Sequence, residues 1–494
     1  MLAACAGLVL ALSARSAQAQ IFHFQETPVP ATYSLSTHYM FYVYAKEDGP
    51  KGADAGATTR VEFRQLAASP SKTKTASAAV PQKYPSVEVS LLPFDKFWSL
   101  VNKDKFCSSF DDVRSNRAKE GGKFMINKPM GSTLETVGAS IEQVPFITAG
   151  SKAPQTVSHM IKKTGIYILT FTNCGNFSDA TVSGSLAVKN TYGFLPGNEI
   201  YTMKLFGWLT VIYTFIFVVM LVASLRHYKA LFYIQKGIAS IIFLCVLECL
   251  VTWVQYQDWN LSGERRDLYF VSSLLFYTLK YVLSWRLILL SSLGAGVVLQ
   301  DLDGKTSVIF FVASTLFMIQ SCMWKLLISY RYSHALESGF LMIVTLPGVI
   351  VYAGMFLWTF LALQSLIARI EEHKQDDLVK TFKNVRMVLF AGLTLSVCVL
   401  FLQVVDIASG GIFPWEYQWF SVDGAPQFTF MLVLVLMMWV WWPNENSWKY
   451  GYMVQVSQDD GAEGESTAVN TAQDDIELSK GRVPAEQIGA AEEL

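Results

Sequence analysis

Seven long apolar runs, all beyond residue 203, constrain this chain more than any other feature. A helix rises 1.5 Å per residue, so about 20 apolar residues cross the ~30 Å hydrocarbon core of a bilayer. The runs lie at 204–225, 234–254, 270–298, 307–329, 339–367, 385–406 and 427–443. Each predicts a membrane-spanning helix, because a backbone surrounded by lipid must satisfy its own hydrogen bonds. The third and fifth are long enough to tilt or to project beyond the bilayer. Composition agrees: charged residues make up only 16% of the chain, against about 25% in soluble proteins.

The net charge of −1 is an average over unlike parts. Residues 20–200 carry +4, residues 201–448 carry +1 and residues 449–494 carry −7. No part offers the strongly basic surface that nucleic acid requires. The last stretch is polar and acidic, which predicts a disordered tail.

Residues 1–19 read as a signal peptide: a short apolar run, Leu2 to Leu12, then Ala17-Gln18-Ala19 as a small-x-small cleavage site. Residues 20–200 hold no long apolar run. They hold short alternating segments bounded by Gly, Pro, Asn and Ser, among them 39–44, 87–92, 165–171 and 181–188. That pattern predicts a half-buried antiparallel sheet, closed as a luminal β-sandwich. Residues 49–83 are rich in Ala, Gly, Ser, Thr, Pro and Lys and predict a mobile insertion, interrupted by a strand at 61–66. Cys107 and Cys174 are the two cysteines of this domain, and an oxidising compartment predicts a disulfide between them, worth roughly 2–4 kcal/mol. Asn176-Phe-Ser178 and Asn260-Leu-Ser262 are N-glycosylation sequons.

Seven spans after a luminal domain place the C-terminus in the cytosol. The basic residues agree, with nine in the proposed cytosolic loops and three in the luminal ones. The 368–384 loop, of mixed charge, reads as helical and solvated.

Ionisable groups inside spans cost ~2.5–3.5 kcal/mol each at the helix centre, so they mark function or a partner. Glu248 lies in the second span; Lys280 and Arg286 lie in the third. Antiparallel neighbours can bring Glu248 to Lys280, either as an ion or proton pathway or as a pair holding two helices together. Lys280 and Arg286 are about 120° apart on the helical wheel and cannot share one narrow stripe. Lys325 and Asp406 sit near span ends and can snorkel. Cys245 and Cys249 share a helix face, but the histidines are scattered and no metal-ligand set converges. No phosphate loop, nucleophile elbow or metalloprotease motif is present, so nothing in the sequence calls for a cofactor or for an enzyme. Tyr450-Gly-Tyr-Met453 has the form of a tyrosine-x-x-hydrophobic sorting signal.

Five motifs, in order, resemble those of the lung seven-transmembrane receptor family, also called the GOST family. They are Gly165-Ile-Tyr-Ile-Leu-Thr-Phe-Thr-Asn-Cys174, Gly193-Phe-Leu-Pro-Gly-Asn-Glu199, Leu247-Glu248, Lys280 with Ser292-Leu-Gly-Ala-Gly-Val-Val298, and Trp441-Trp-Pro-Asn-Glu-Asn446. The branch of the transmembrane-protein-87 type is the most similar. Departures mark a divergent member: Tyr281, Trp285, Ala295, Leu299-Gln300-Asp301 and Trp442 stand where the family pattern has Arg, Arg, Tyr, a basic Lys-Pro-Arg and Arg. The resemblance implies a Golgi or endosomal membrane protein whose luminal sandwich binds a protein or lipid partner and whose cytosolic parts meet sorting machinery. It also implies, as alternatives, a cation channel or pH regulator, or a G-protein-coupled-type receptor.

Overall fold

The computed structural model describes residues 21–443, apart from 30–35, 51–57, 71–86, 145–155, 175–179, 296–302, 330–337, 373–375, 409–413 and a few single positions. The signal peptide, Asn176, Tyr450, Met453 and the 449–494 tail lie outside the described residues.

Among the described residues, eight strands build the first half: β1 (Ile21–Val29), β2 (Ser36–Val43), β3 (Arg60–Pro70), β4 (Val87–Pro93), β5 (Ser140–Val144), β6 (Val157–Met160), β7 (Gly165–Thr172) and β8 (Ala180–Lys189). They form two four-stranded antiparallel sheets, in the orders β1-β8-β3-β6 and β2-β7-β4-β5. Strand side chains alternate between faces. Val89, Leu91, Leu169 and Phe171 therefore meet Phe24, Phe63, Val182 and Leu186 in the space between the sheets. The strand expected at 61–66 is present, runs longer, and lies inside its sheet between β8 and β6. Two neighbours of β8 are bulged beside Gly184. Its φ of +143° and its bare face allow this, since a Cβ there would lie 2.7 Å from the Leu66 Cα.

One expectation needs correction. The two central strands of the second sheet are not half-buried: every residue of β4 is buried, and so are the last six of β7. The segment 94–139 folds back over its outer face and builds a second core from Leu92, Phe97, Leu100, Phe106, Phe124 and Ile168. A Cys107–Cys174 disulfide ties that segment to the end of β7.

Among the described residues, the second half holds seven long helices: α1 (Ile200–Arg226), α2 (Tyr233–Ser262), α3 (Asp267–Ser292), α4 (Gly304–Ser329), α5 (Ser338–Glu372), α6 (Asp376–Ala408) and α7 (Ala425–Val440). All seven are long and apolar enough to span a bilayer, α7 together with the turns that precede it. Each packs on the next, and α7 closes the ring against α2. Three boundaries differ from expectation. The third helix stops at Ser292, where Gly294 adopts a left-handed φ of +80° and turns the chain. The second runs to Ser262, well past 254, which carries it into the sandwich. The 368–384 region is helical as far as it is described, but not solvated all round: Ile370, Leu378, Val379 and Phe382 are buried, with Phe382 edge-on to Trp441.

The sandwich and the bundle are joined by specific contacts. Asn260, near the end of α2, accepts the Leu195 N–H (3.1 Å) and donates to the Tyr192 carbonyl (2.9 Å), and its own carbonyl accepts the Phe194 N–H (2.9 Å). Gly193 makes this possible: its φ is +139°, and a Cβ would lie 2.3 Å from the Asn260 Oδ1. Around this clasp Tyr44, Leu195, Ile200, Met203 and Trp259 form an aromatic-rich cluster, and Trp415 stacks obliquely on Tyr42 and Tyr44.

Candidate functional site

Three spans converge on one buried polar centre. Glu248 lies midway along α2 and Lys280 midway along α3. Both side chains are fully buried, at 0% exposure. The Lys280 Nζ donates to Glu248 Oε2 at 3.0 Å. It also donates to Gln427 Oε1 on α7 at 3.2 Å, and Gln427 Nε2 donates back to Glu248 Oε1 at 3.2 Å. The three side chains thus close a ring in which each is held by the other two.

The surroundings explain why an ion pair survives there. The ammonium lies over the rings of Tyr281 (4.7 Å), Phe430 (4.6 Å) and Tyr277 (5.6 Å), whose negative faces favour a cation. Cys249 Sγ approaches Glu248 Oε2 at 3.6 Å. Cys245, Cys249 and Tyr213 are fully buried in the apolar core of the bundle, and no metal-ligand group of three forms among the described residues.

One helical turn nearer the sandwich, a polar cleft opens. Thr252 lies four residues beyond Glu248, and its hydroxyl meets that of Ser273 at 2.8 Å. Asp423 lies four residues before Gln427, in a π-helical turn at Phe420–Gly424. Glu199, Gln255, Tyr256, Trp259, Arg265 and Lys325 are also among its lining, with room for only a water or two. Tyr256 donates to Glu199 Oε2 at 3.1 Å. The cleft touches neither Glu248 nor Lys280, so the polar column is closed at the ring in this conformation.

The sequence pointed to Glu248 and Lys280, and the fold brings them together. It separates Arg286, which is exposed on the outer face of α3 over the Phe310 ring (5.1 Å) and takes no part in the ring. Gln427 was missed; its signal was an amide just after Pro426, at the first position of the 427–443 run. Lys325, given no role from its place near a span end, carries its ammonium over Tyr277 (4.9 Å) and lines the cleft. Asn260, read as a sequon, is 8% exposed, and both ends of its side-chain amide are engaged in the clasp. Pro347 lies inside α5, and the bare face of Gly348 leaves Gln320 of α4 space against the backbone.

A disulfide-tied β-sandwich clasped to seven apolar helices with a buried polar centre defines a multi-pass membrane protein with a folded extramembrane domain. The seven-transmembrane domain of the GOST family matches residues 201–448, and the chain belongs to that family. Transmembrane protein 87A of Xenopus tropicalis is 22% identical over 387 residues, covering 74% of this chain and 67% of that protein. Membrane protein PTM1 of Saccharomyces cerevisiae is 24% identical over 311 residues, covering 60% of this chain and 57% of that protein. Human transmembrane protein 87B is 24% identical over 313 residues, covering 60% of this chain and 54% of that protein. The chain therefore spans between about half and two thirds of these relatives.

Proposed function

We propose that this protein is a non-enzymatic component of vesicle-mediated trafficking in Golgi and endosomal membranes. Its sandwich faces the lumen and binds a protein or lipid partner; its far end and acidic tail meet sorting machinery. The observation that carries this reading is the clasp between Asn260 and 192–195, which ties the sandwich directly to the helix that carries Glu248. A recognition domain fastened in this way can pass an occupied or empty state to the bundle. The excess of basic residues at the opposite ends of the helices, nine to three, supports the orientation. Deleting residues 449–494 is expected to shift the protein among Golgi and endosomal markers. Unchanged distribution and unchanged cargo flux would refute the sorting role.

A second reading, a cation channel or Golgi pH regulator, is favoured by the polar column from the cleft to the Glu248–Lys280–Gln427 ring. Conduction would require the ring to open. Purified protein in planar bilayers tests it: a current altered by Glu248→Gln supports this reading, and no current, or a current the substitution leaves alone, removes it.

A further inference from the structure

The sandwich exposes four large apolar side chains among its described residues: Phe94, Trp98, Val157 and Met160. Phe94 is 45% and Trp98 60% exposed. Both lie on the short helical turn Phe94–Leu100, which is 3-10 over Phe94–Lys96 and α-helical over Phe97–Leu100, and both are open to solvent. The same turn buries Phe97 and Leu100 in the second core, and Trp98 stands edge-on against Phe97 at 5.0 Å. The turn that carries the exposed pair is thus fastened to the core behind it.

Strand register places this pair in height. Pro93 pairs with Tyr167, and Tyr167 pairs with Phe41. One residue further along β2 is Tyr42, whose carbonyl accepts the Gly197 N–H at 2.9 Å and whose ring meets Trp415. Phe94 is therefore level with the junction between sandwich and bundle. It is displaced sideways by two strand spacings, about 10 Å. From Ile200, where α1 begins, five residues of helix lead to Leu205, a descent of about 7.5 Å. That is close to the thickness of one headgroup layer, roughly 5–7 Å on each side of the hydrocarbon. Met160 and the exposed Lys163 lie at the same end, because Ile161 bonds to Thr59 and Lys163 precedes the start of β7. Lys96 is on the turn itself, while Asp95 lies within electrostatic reach of the Tyr167 hydroxyl.

We propose that the Phe94–Trp98 turn is a second membrane anchor, an aromatic wedge that seats the sandwich in the lipid headgroup layer beside the helical bundle. Tryptophan and phenylalanine with neighbouring lysines match the chemistry of that layer, where an amphipathic ring and an ammonium both find partners. The continuity of height with the bundle junction commits the surface to lipid rather than to a soluble protein. The wedge restrains tilt of the sandwich about its clasp.

Photo-cross-linking of the full chain in nanodiscs of phosphatidylcholine and phosphatidylserine tests this. Trp98→p-benzoylphenylalanine and Phe94→p-benzoylphenylalanine are expected to give lipid adducts, read as mass shifts of the digested peptide. Glu120 is the control: it is exposed and reaches Lys123 (3.8 Å), which reaches Glu88 (3.7 Å) near the start of β4, about 17 Å further up the sandwich. Glu120→p-benzoylphenylalanine is expected to give no lipid adduct. Absence of lipid adducts at both 94 and 98, equal adduct yield at 120, or cross-links to protein in place of lipid would each overturn the proposal.

Discussion

Lys280→Met removes one member of the buried ring while keeping a side chain of similar length. Glu248 then keeps its carboxylate at full burial with only the Gln427 amide at 3.2 Å and the Cys249 thiol at 3.6 Å. A lone charge at the centre of a span costs about 2.5–3.5 kcal/mol. Breaking a buried pair in soluble proteins costs about 3–5 kcal/mol. The two ranges meet near 3 kcal/mol. For a unit the size of this bundle, each kcal/mol moves the melting temperature by roughly 2–4 °C. The expected loss is therefore about 6–12 °C, read by thermal scans of purified protein in one detergent at one scan rate. The double variant Lys280→Met/Glu248→Leu removes both charges and should recover most of that loss, since apolar replacement of a buried pair is often neutral. A coupling of about 2 kcal/mol or more between the two sites is expected from the cycle. A shift below about 2 °C in the single variant, or simple additivity in the double, would refute the closed, dry ring.

Four further outcomes follow from the geometry. Gly193→Ala forces a side chain into a φ of +139° and onto Asn260, a strain of about 1–3 kcal/mol; faster proteolysis within 190–199 is the readout. Asn260→Gln should leave the endoglycosidase shift in gel mobility unchanged, because its amide is engaged in the clasp, whereas Asn176→Gln should abolish it. Removing the Cys107–Cys174 bridge, whose ends are 67 positions apart in sequence, should cost the sandwich about 4 kcal/mol, measured by denaturant unfolding with and without reductant. Burial pushes the Glu88 carboxyl above its ordinary value of 4.5, against the pull of the Phe124 N–H and Lys123. An acid that holds its proton more tightly when folded loses stability as pH rises through that raised value. Glu88→Gln should therefore gain on the parent protein as pH climbs above 4.5, in melts across a pH series.

The Glu88 case shows where sequence reasoning stops. An acid inside the alternating 87–92 segment reads as an outward, solvated position. Only the return of 94–139 over that sheet buries it, and no local pattern announces such a return. The same holds for Phe94 and Trp98, whose exposure depends on which face of a short turn meets the second core. In the bundle, Glu248 and Lys280 were legible because a charge in an apolar run is conspicuous. Gln427 was not, because a single amide near a span end carries little signal. Arg286 was equally conspicuous, yet it stands about 120° round the helix from Lys280 and faces outward.

By itself the sequence determined seven membrane helices, an alternating sandwich before them and a charged pair within them. Those features follow from solvent: hydrocarbon demands long apolar helices, and a two-faced sheet demands period two. Tertiary structure alone decided which polar groups close the ring, that Asn260 is a clasp, and that the sandwich is fastened to α2. Each of these is a meeting of residues distant in the chain, and close approach in three dimensions depends on packing and register rather than on local periodicity.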